Sequence, residues 1–362
     1  MTSNRVKGPG PGILAAWFLV PVGIYCLAAV LFVFWGGFIG DEGYYALVAR
    51  FLTEGSKLYR DVFCPQLPVM FHVYAGWFSL FGPGILSGRV LSAILGLGTV
   101  VFVSLACARR GGRAAGFVGG MLIACSPHVV FDLCLIKTQS MSAFLSAFFL
   151  YVLSGGVGRA SIQRAAVVMA VATLMVFTRL TLLPCLILAW MLMAWDLRHR
   201  WPAFMALVAI NLVIIAAAVA WFWADGNLLF DVYRVHKELW GPKSWSFAWL
   251  MVTIKSWIGN QLPIIFFFFC AIGLFVSRLL SRPRDCLRAP DFGFLCLALG
   301  GYASYTFLHW QSVQSYATHQ TVVAPFAVVF AMTMLGPQIS SLCGQRPLLP
   351  TLALAVLLGD AD

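Results

Sequence analysis

Charge is scarce in this sequence. Of 362 residues only 13 are acidic and 24 basic, and charged residues make up 10% of the chain against 61% hydrophobic ones. An ordinary soluble domain carries about a quarter of its residues charged, so that class is excluded. The net charge of +11 does not point to nucleic acid either, because the bases recur between apolar segments and form no continuous patch. Zinc spacing is also missing. The ten cysteines include no C-x-x-C pair, and Cys26, Cys107, Cys185 and Cys270 sit inside apolar runs as small core hydrophobes. His72, His128, His309 and His319 share no metal spacing, so neither a metal nor another cofactor is expected. There is no internal repeat, and low complexity is confined to an N-terminal GPGPG. No A-x-A cleavage site follows Arg5 and Lys7, so the first apolar run, continuing through Phe34, is a retained helix.

Long apolar runs are abundant. Windows able to cross about 30 Å of hydrocarbon fall near residues 13–35, 84–108, 114–132, 138–154, 202–223, 257–277, 291–308 and 321–337. Residues 165–196 are apolar apart from Thr178-Arg179, too long for one helix and long enough for a tight hairpin of two. Residues 347–359 form a weak last segment, and 65–82 is assigned to the interface. The expected fold is all-α, a polytopic bundle of about ten or eleven spans.

With 65–82 left uncounted, Arg109, Arg110, Arg113, Arg198, Arg200, Arg278 and Arg282 share the N-terminal side with few acids. The positive-inside rule makes that side cytoplasmic and the protein a multi-pass component of the inner (plasma) membrane. Most acids fall on the other face, in two long outer loops spanning residues 36–83 and 224–256.

The first loop opens with Gly40-Asp41-Glu42, a carboxylate pair directly after the first span. Tyr44, Leu47, Val48, Phe51 and Leu52 then make an apolar stripe at helical spacing, as in a helix lying on a membrane surface, with Asp41 as N-cap and Gly55 as C-cap. A carboxylate at the interface, opposite bases on the same face, suits transfer of a group away from a lipid-linked phosphate. The acceptor hydroxyl needs a general base, for which Asp41 or Glu42 serves, and the departing phosphate needs cations. Lys57, Arg60, Arg89, Lys137, Arg179, Arg234 and Lys237 are the pool. Simpler roles stand beside these: capping for Asp41, lipid headgroup contact for Lys57 and Arg60, and snorkelling for Arg89 and Lys137. Arg179, in the turn of an apolar hairpin, is a functional candidate by default.

The run DEGYYALVARFLTEGSKLYRDVFCPQLPVMFHVYAGWFSLFGPGILSGRVLSAILGLGTVVFV closely resembles the N-terminal region of GT-C fold glycosyltransferases, the protein mannosyltransferase-like and lipid A aminoarabinose transferase-like enzymes. MVFTRLTLLPCLILAW and HQTVVAPFAVVFA resemble later elements of that family. The resemblance implies one glycosyltransferase domain over 1–340 and a short C-terminal segment over 341–362. It implies inverting, metal-independent transfer from a polyprenyl-phosphate sugar to a glycolipid, polysaccharide or protein on the outer (periplasmic) face. Asp41 takes the position of the catalytic carboxylate, with Glu42 as its pair. Donor phosphate contacts are expected from Lys57, Arg60, Gln66, Arg89, Lys137 and Arg179, and further substrate contacts from Tyr44, Arg234, Lys237 and His319. The chain departs from the family at Gln66, where members often carry lysine, and at Lys137-Thr138-Gln139, where many carry an acid. The alternatives to an enzyme are a lipid-linked sugar flippase and an inactive, truncated homologue.

Overall fold

The structure, a computed structural model, describes residues 11–38, 40–155, 161–235, 247–283, 290–311 and 321–345. The described residues form the α-helices α1 (Pro11–Trp35), α2 (Gly40–Thr53), α3 (Val69–Phe81), α4 (Ile85–Gly111), α5 (Arg113–Ala124), α6 (Pro127–Cys134), α7 (Thr138–Ser154), α8 (Ile162–Thr178), α9 (Leu183–Asp196), α10 (Trp201–Asp225), α11 (Phe247–Ser281), α12 (Pro290–Gln311) and α13 (Ala324–Gln345). The described residues form no β-strand. The protein is an all-α, polytopic membrane protein.

Among the described residues, five helical stretches are long and apolar enough to cross a bilayer, and α5 with α6 makes a sixth if that pair, bent by 70°, counts as one span. The other expected windows fall largely on apolar helices of 10–17 residues, including α7, α8 and α9, shorter than the roughly 20 a lone span requires. Of these, α7 is an inner element, packed along α4 and α8 with most of its side chains buried, whereas α8 and α9 keep exposed apolar faces, Leu183, Ile187, Met191 and Trp195 forming one along α9. The segment assigned to the interface carries the 13-residue α3, too short to cross. The apolar hairpin is present as α8 and α9, joined through Arg179 and a 3-10 turn at Leu180–Leu182. The weak segment near 347–359 lies outside the described residues.

Helix α4 is the centre of the bundle, packed against α7, α5 and α13. Glycine lets α4 and α13 touch backbone to backbone: a Cβ added at Gly336 would stand 2.4 Å from Gly111 Cα. This close approach lets the C-terminal span share the core, with Val328 to Met332 fully buried.

Helix α2 follows the apolar stripe but starts earlier than expected. Gly40 already belongs to it, so Asp41 and Glu42 lie in the first turn and Asp41 is not the cap. Two carboxylates there still favour the helix, because the amide end of a helix carries partial positive charge. The other end closes as anticipated. Gly55 has φ +94°, Ser56 N–H donates to Phe51 O at 3.0 Å, and Gly55 N–H donates to Leu52 O at 3.2 Å, the pattern of a Schellman cap.

The two long loops expected on one face are stitched together. Asn227 N–H donates to Tyr59 O at 2.9 Å, and Cys64 N–H donates to Asp231 Oδ2 at 2.9 Å. Tyr59 takes φ +66°, unusual for a side chain of its size, and its ring meets Phe222 of α10 edge-on.

Candidate active site

The ends of α1, α2, α4, α7 and α8 meet at one end of the bundle, and the sequence places a charged residue at nearly every junction. The adjacent acids Asp41 and Glu42 have opposite fates. Glu42 is fully buried and Arg89 nearly so. Arg89 Nε donates to Glu42 Oε1 at 2.8 Å and Nη2 to Oε2 at 2.7 Å. The remaining guanidinium protons donate to Gly36 O at 2.9 Å and Gly37 O at 2.8 Å, and Ile136 N–H donates to Glu42 Oε1 at 3.3 Å. One ion pair thus ties the exit of α1, the first turn of α2, the start of α4 and the strap before α7. With both oxygens engaged and no solvent contact, Glu42 is committed to this junction.

Asp41 faces the other way, with 71% of its side chain exposed. Its Oδ2 lies 3.7 Å from Lys137 Nζ, whose side chain is only 9% exposed. Lys137 sits on an extended residue immediately before α7. The next residue, Thr138, accepts a 2.8 Å hydrogen bond from Arg179 Nη1 at the α8–α9 turn. Two nearly buried cations, Lys137 and Arg179, from separate elements, therefore converge beside one open carboxylate.

Tyr45 lies one helical turn after Asp41, on the same face of α2. Its hydroxyl is pushed up to about 12, first by burial and then by the negative charge of Asp41, while the charge of Arg179 and a hydrogen bond with the Gln66 side chain act the other way. It stays a proton donor at neutral pH and brings Gln66 into the same cluster. Asp132 of α6 completes it. Fully buried, it accepts from Thr321 Oγ1 at 2.6 Å and lies 3.7 Å from His128 Nε2, with Lys137 and Arg179 within electrostatic reach.

The other expected residues lie apart from this cluster. Tyr44 turns away, its hydroxyl donating to Phe63 O. Arg60 is exposed and 3.7 Å from Asp61. Lys57 lines a separate cavity at the far end of α2. Arg234 is exposed in a π-turn at Phe230–Arg234, while Lys237 and His319 lie outside the described residues. Sequence reasoning left out Asp132, and also Tyr45, though its i+4 spacing from Asp41 was legible. Nothing in the sequence marks Thr321 as the partner of Asp132, 189 residues away. Among the described residues no three His, Cys, Asp or Glu side chains gather as a metal site.

The helical bundle has the GT-C fold. A crystal structure of ArnT from Cupriavidus metallidurans bound to undecaprenyl phosphate superposes with a TM-score of 0.67 at 17% identity, over 96% of this chain and 65% of that one. The oligosaccharyltransferase of Archaeoglobus fulgidus gives 0.57 at 14% identity, over 96% of this chain and 51% of its own. The arabinosyltransferase EmbB of Mycobacterium smegmatis gives 0.59 at 17% identity, over 93% of this chain and 31% of its own. The chain spans less than two thirds of the length of each. No protein-family profile and no curated protein sequence matches it.

Proposed function

We propose that the protein is an integral membrane glycosyltransferase that moves a sugar from a polyprenyl-phosphate donor to a hydroxyl acceptor on the outer face of the membrane, with inversion. The observation that carries this reading is the exposed Asp41 carboxylate 3.7 Å from the buried Lys137 ammonium, beside Arg179. Support for the donor class comes from the fold, since ArnT of the same fold was crystallised with undecaprenyl phosphate and the Archaeoglobus enzyme was captured with a dolichol-phosphate.

The division of labour follows from chemistry. Asp41 removes the proton from the acceptor hydroxyl as its oxygen attacks the anomeric carbon from the face opposite the phosphate. The anomeric C–O bond breaks, and its electron pair leaves with the polyprenyl phosphate. A phosphate needs no proton to depart but gains negative charge as it does so. Lys137 and Arg179 stabilise that charge in a poorly solvated corner, where fixed cations act more strongly than in water. Gln66 and Tyr45 add neutral donors. The acceptor's oxygen then carries the sugar, and the proton rests on Asp41 until solvent takes it.

The test is turnover in proteoliposomes with a defined polyprenyl-phosphate sugar and envelope acceptors. Asp41→Asn should lose about 10² to 10⁴ in rate while inserting normally. Near-normal turnover by that variant would sink the assignment.

A further inference from the structure

About 16 Å along α2 from Asp41, at the rise of 1.5 Å per residue, a second recess opens that the transfer chemistry does not use. It has a volume of about 190 Å³ and is lined by Leu52, Ser56, Lys57, Leu58, His72, Trp221 and Phe222. That is room for a small polar group and too little for a whole substrate, whose pockets usually start near 300 Å³. Its walls are the capped end of α2, the exposed face of α3 and the outer end of α10.

The chemistry of the walls is specific. Lys57 supplies one cation. His72 supplies one acceptor: its Nδ1 lies 2.9 Å from Pro68 O, and a carbonyl only accepts, so Nδ1 carries a proton and Nε2 is the ring atom with a lone pair to offer in that tautomer. Trp221 and Phe222 supply aromatic surface, with Trp221 68% exposed at the end of a span, the depth at which indoles mark the headgroup layer. Below Trp221, α10 is bare: Ile210, Val213 and Ile214 are each more than half exposed. A ligand seated in the recess would find an apolar wall running down from it for acyl chains.

We propose that this recess binds the phosphoethanolamine headgroup of a bilayer lipid, with the phosphate on Lys57 and the ammonium donating to His72 Nε2 beside the Trp221 and Phe222 rings. A cation, an acceptor and aromatic faces in one small recess match a headgroup that is anionic at one end and carries N–H donors at the other. A choline headgroup has the same phosphate but no N–H to donate, and a glycerol headgroup has no cation. Phe222 also packs on Tyr59 and His72, so an occupant braces the seam between the two outer loops. The proposal stands independently of the transferase reading.

Native mass spectrometry of the full-length protein released from detergent tests it, with phosphatidylethanolamine, phosphatidylcholine and phosphatidylglycerol titrated in turn and soluble phosphoethanolamine as the lipid-free arm. Phosphatidylethanolamine should be retained about tenfold more tightly than the other two lipids, the difference expected for one charge-assisted hydrogen bond. Lys57→Gln, a change at an exposed side chain, and His72→Phe, which keeps a ring against Phe222, should each erase that preference. Equal retention of all three lipids overturns the proposal. So does a preference that survives in both variants, and so does soluble phosphoethanolamine binding as tightly as the lipid, which would make the recess a site for a free ester.

Discussion

Glu42 and Arg89, 47 residues apart, are joined by two hydrogen bonds of 2.8 and 2.7 Å in a setting that excludes water from both. A bidentate pair of this kind fixes orientation as well as distance. Losing one partner leaves a buried charge uncompensated, which costs about 3–5 kcal/mol, whereas replacing both by apolar groups is far milder. Glu42→Ala should therefore lower the unfolding temperature in detergent steeply. The double variant Glu42→Leu with Arg89→Leu should recover part of the loss. Asp41→Asn, one residue away but solvent-exposed, should stay within about 0.5 kcal/mol of the wild type. If Glu42→Ala and Asp41→Asn unfold alike, the division between a structural and a chemical acid is wrong.

Lys137 and Arg179 are expected to act on the phosphate and not on the acceptor. Lys137→Met keeps the length and bulk of the side chain but removes the charge. It should raise the donor KM and lower kcat/KM by about tenfold to a hundredfold, the range for one charge-assisted hydrogen bond. The acceptor KM should stay unchanged. Arg179→Lys should fall in the same direction, because an ammonium lacks the fork that reaches Thr138 and a phosphate together. Steady-state kinetics with donor and acceptor varied separately decides it. A rise confined to the acceptor KM would assign these cations to the other substrate.

What the sequence made legible was local. The stripe of α2, its Gly55 cap and the hairpin around Arg179 all follow from spacing within about 30 residues, where periodicity and turn chemistry operate. Asp41 stood out because a carboxylate after a span is expensive to ignore. Which of the two acids was free was not legible, since Arg89 had equal claim to snorkel, to bind phosphate or to pair. Only the approach of α4 to the first turn of α2 decides that. Asp132 with Thr321, and Asp231 with the Cys64 amide, are likewise products of packing between distant segments. Helix length was the other gap. The apolar run at 138–154 is a 17-residue helix enclosed by neighbours, because hydropathy alone does not distinguish lipid from a protein interior.

Asp231 gives the seam between the two long loops a pH dependence. Burial raises its carboxyl above the usual value, with the hydrogen bond from Cys64 N–H pulling the other way. The folded state then holds its proton to higher pH than the unfolded chain, whose carboxyl titrates near 3.9. Its contribution to stability is full below that value and is lost as pH rises through the raised folded value. Asp231→Asn keeps an acceptor for Cys64 N–H and carries no charge at any pH. As pH rises above about 4, the wild type should lose unfolding temperature relative to this variant. A wild type that gains on the variant as pH rises would reverse the assigned cause.

Gly226 is where the second long loop lies directly on the first. A Cβ built there would stand 2.4 Å from both the carbonyl carbon and oxygen of Tyr59, and 2.7 Å from Arg60 N. These are backbone atoms, so no side chain can swing aside to make room. Tyr59 already holds an unfavourable φ, and its carbonyl accepts from Asn227 N–H, so the first loop has little freedom to retreat. Gly226→Ala should cost about 1–3 kcal/mol as an overpacked contact and part the two loops locally. Gly76, exposed on α3 with nothing within 4 Å of an added Cβ, provides the control, and Gly76→Ala should be neutral or slightly stabilising. Limited proteolysis of the full-length protein reads the difference: cleavage near residues 56–62 should accelerate in Gly226→Ala and not in Gly76→Ala. Equal protection of that segment in both variants would mean that the loops are held together by something other than this contact.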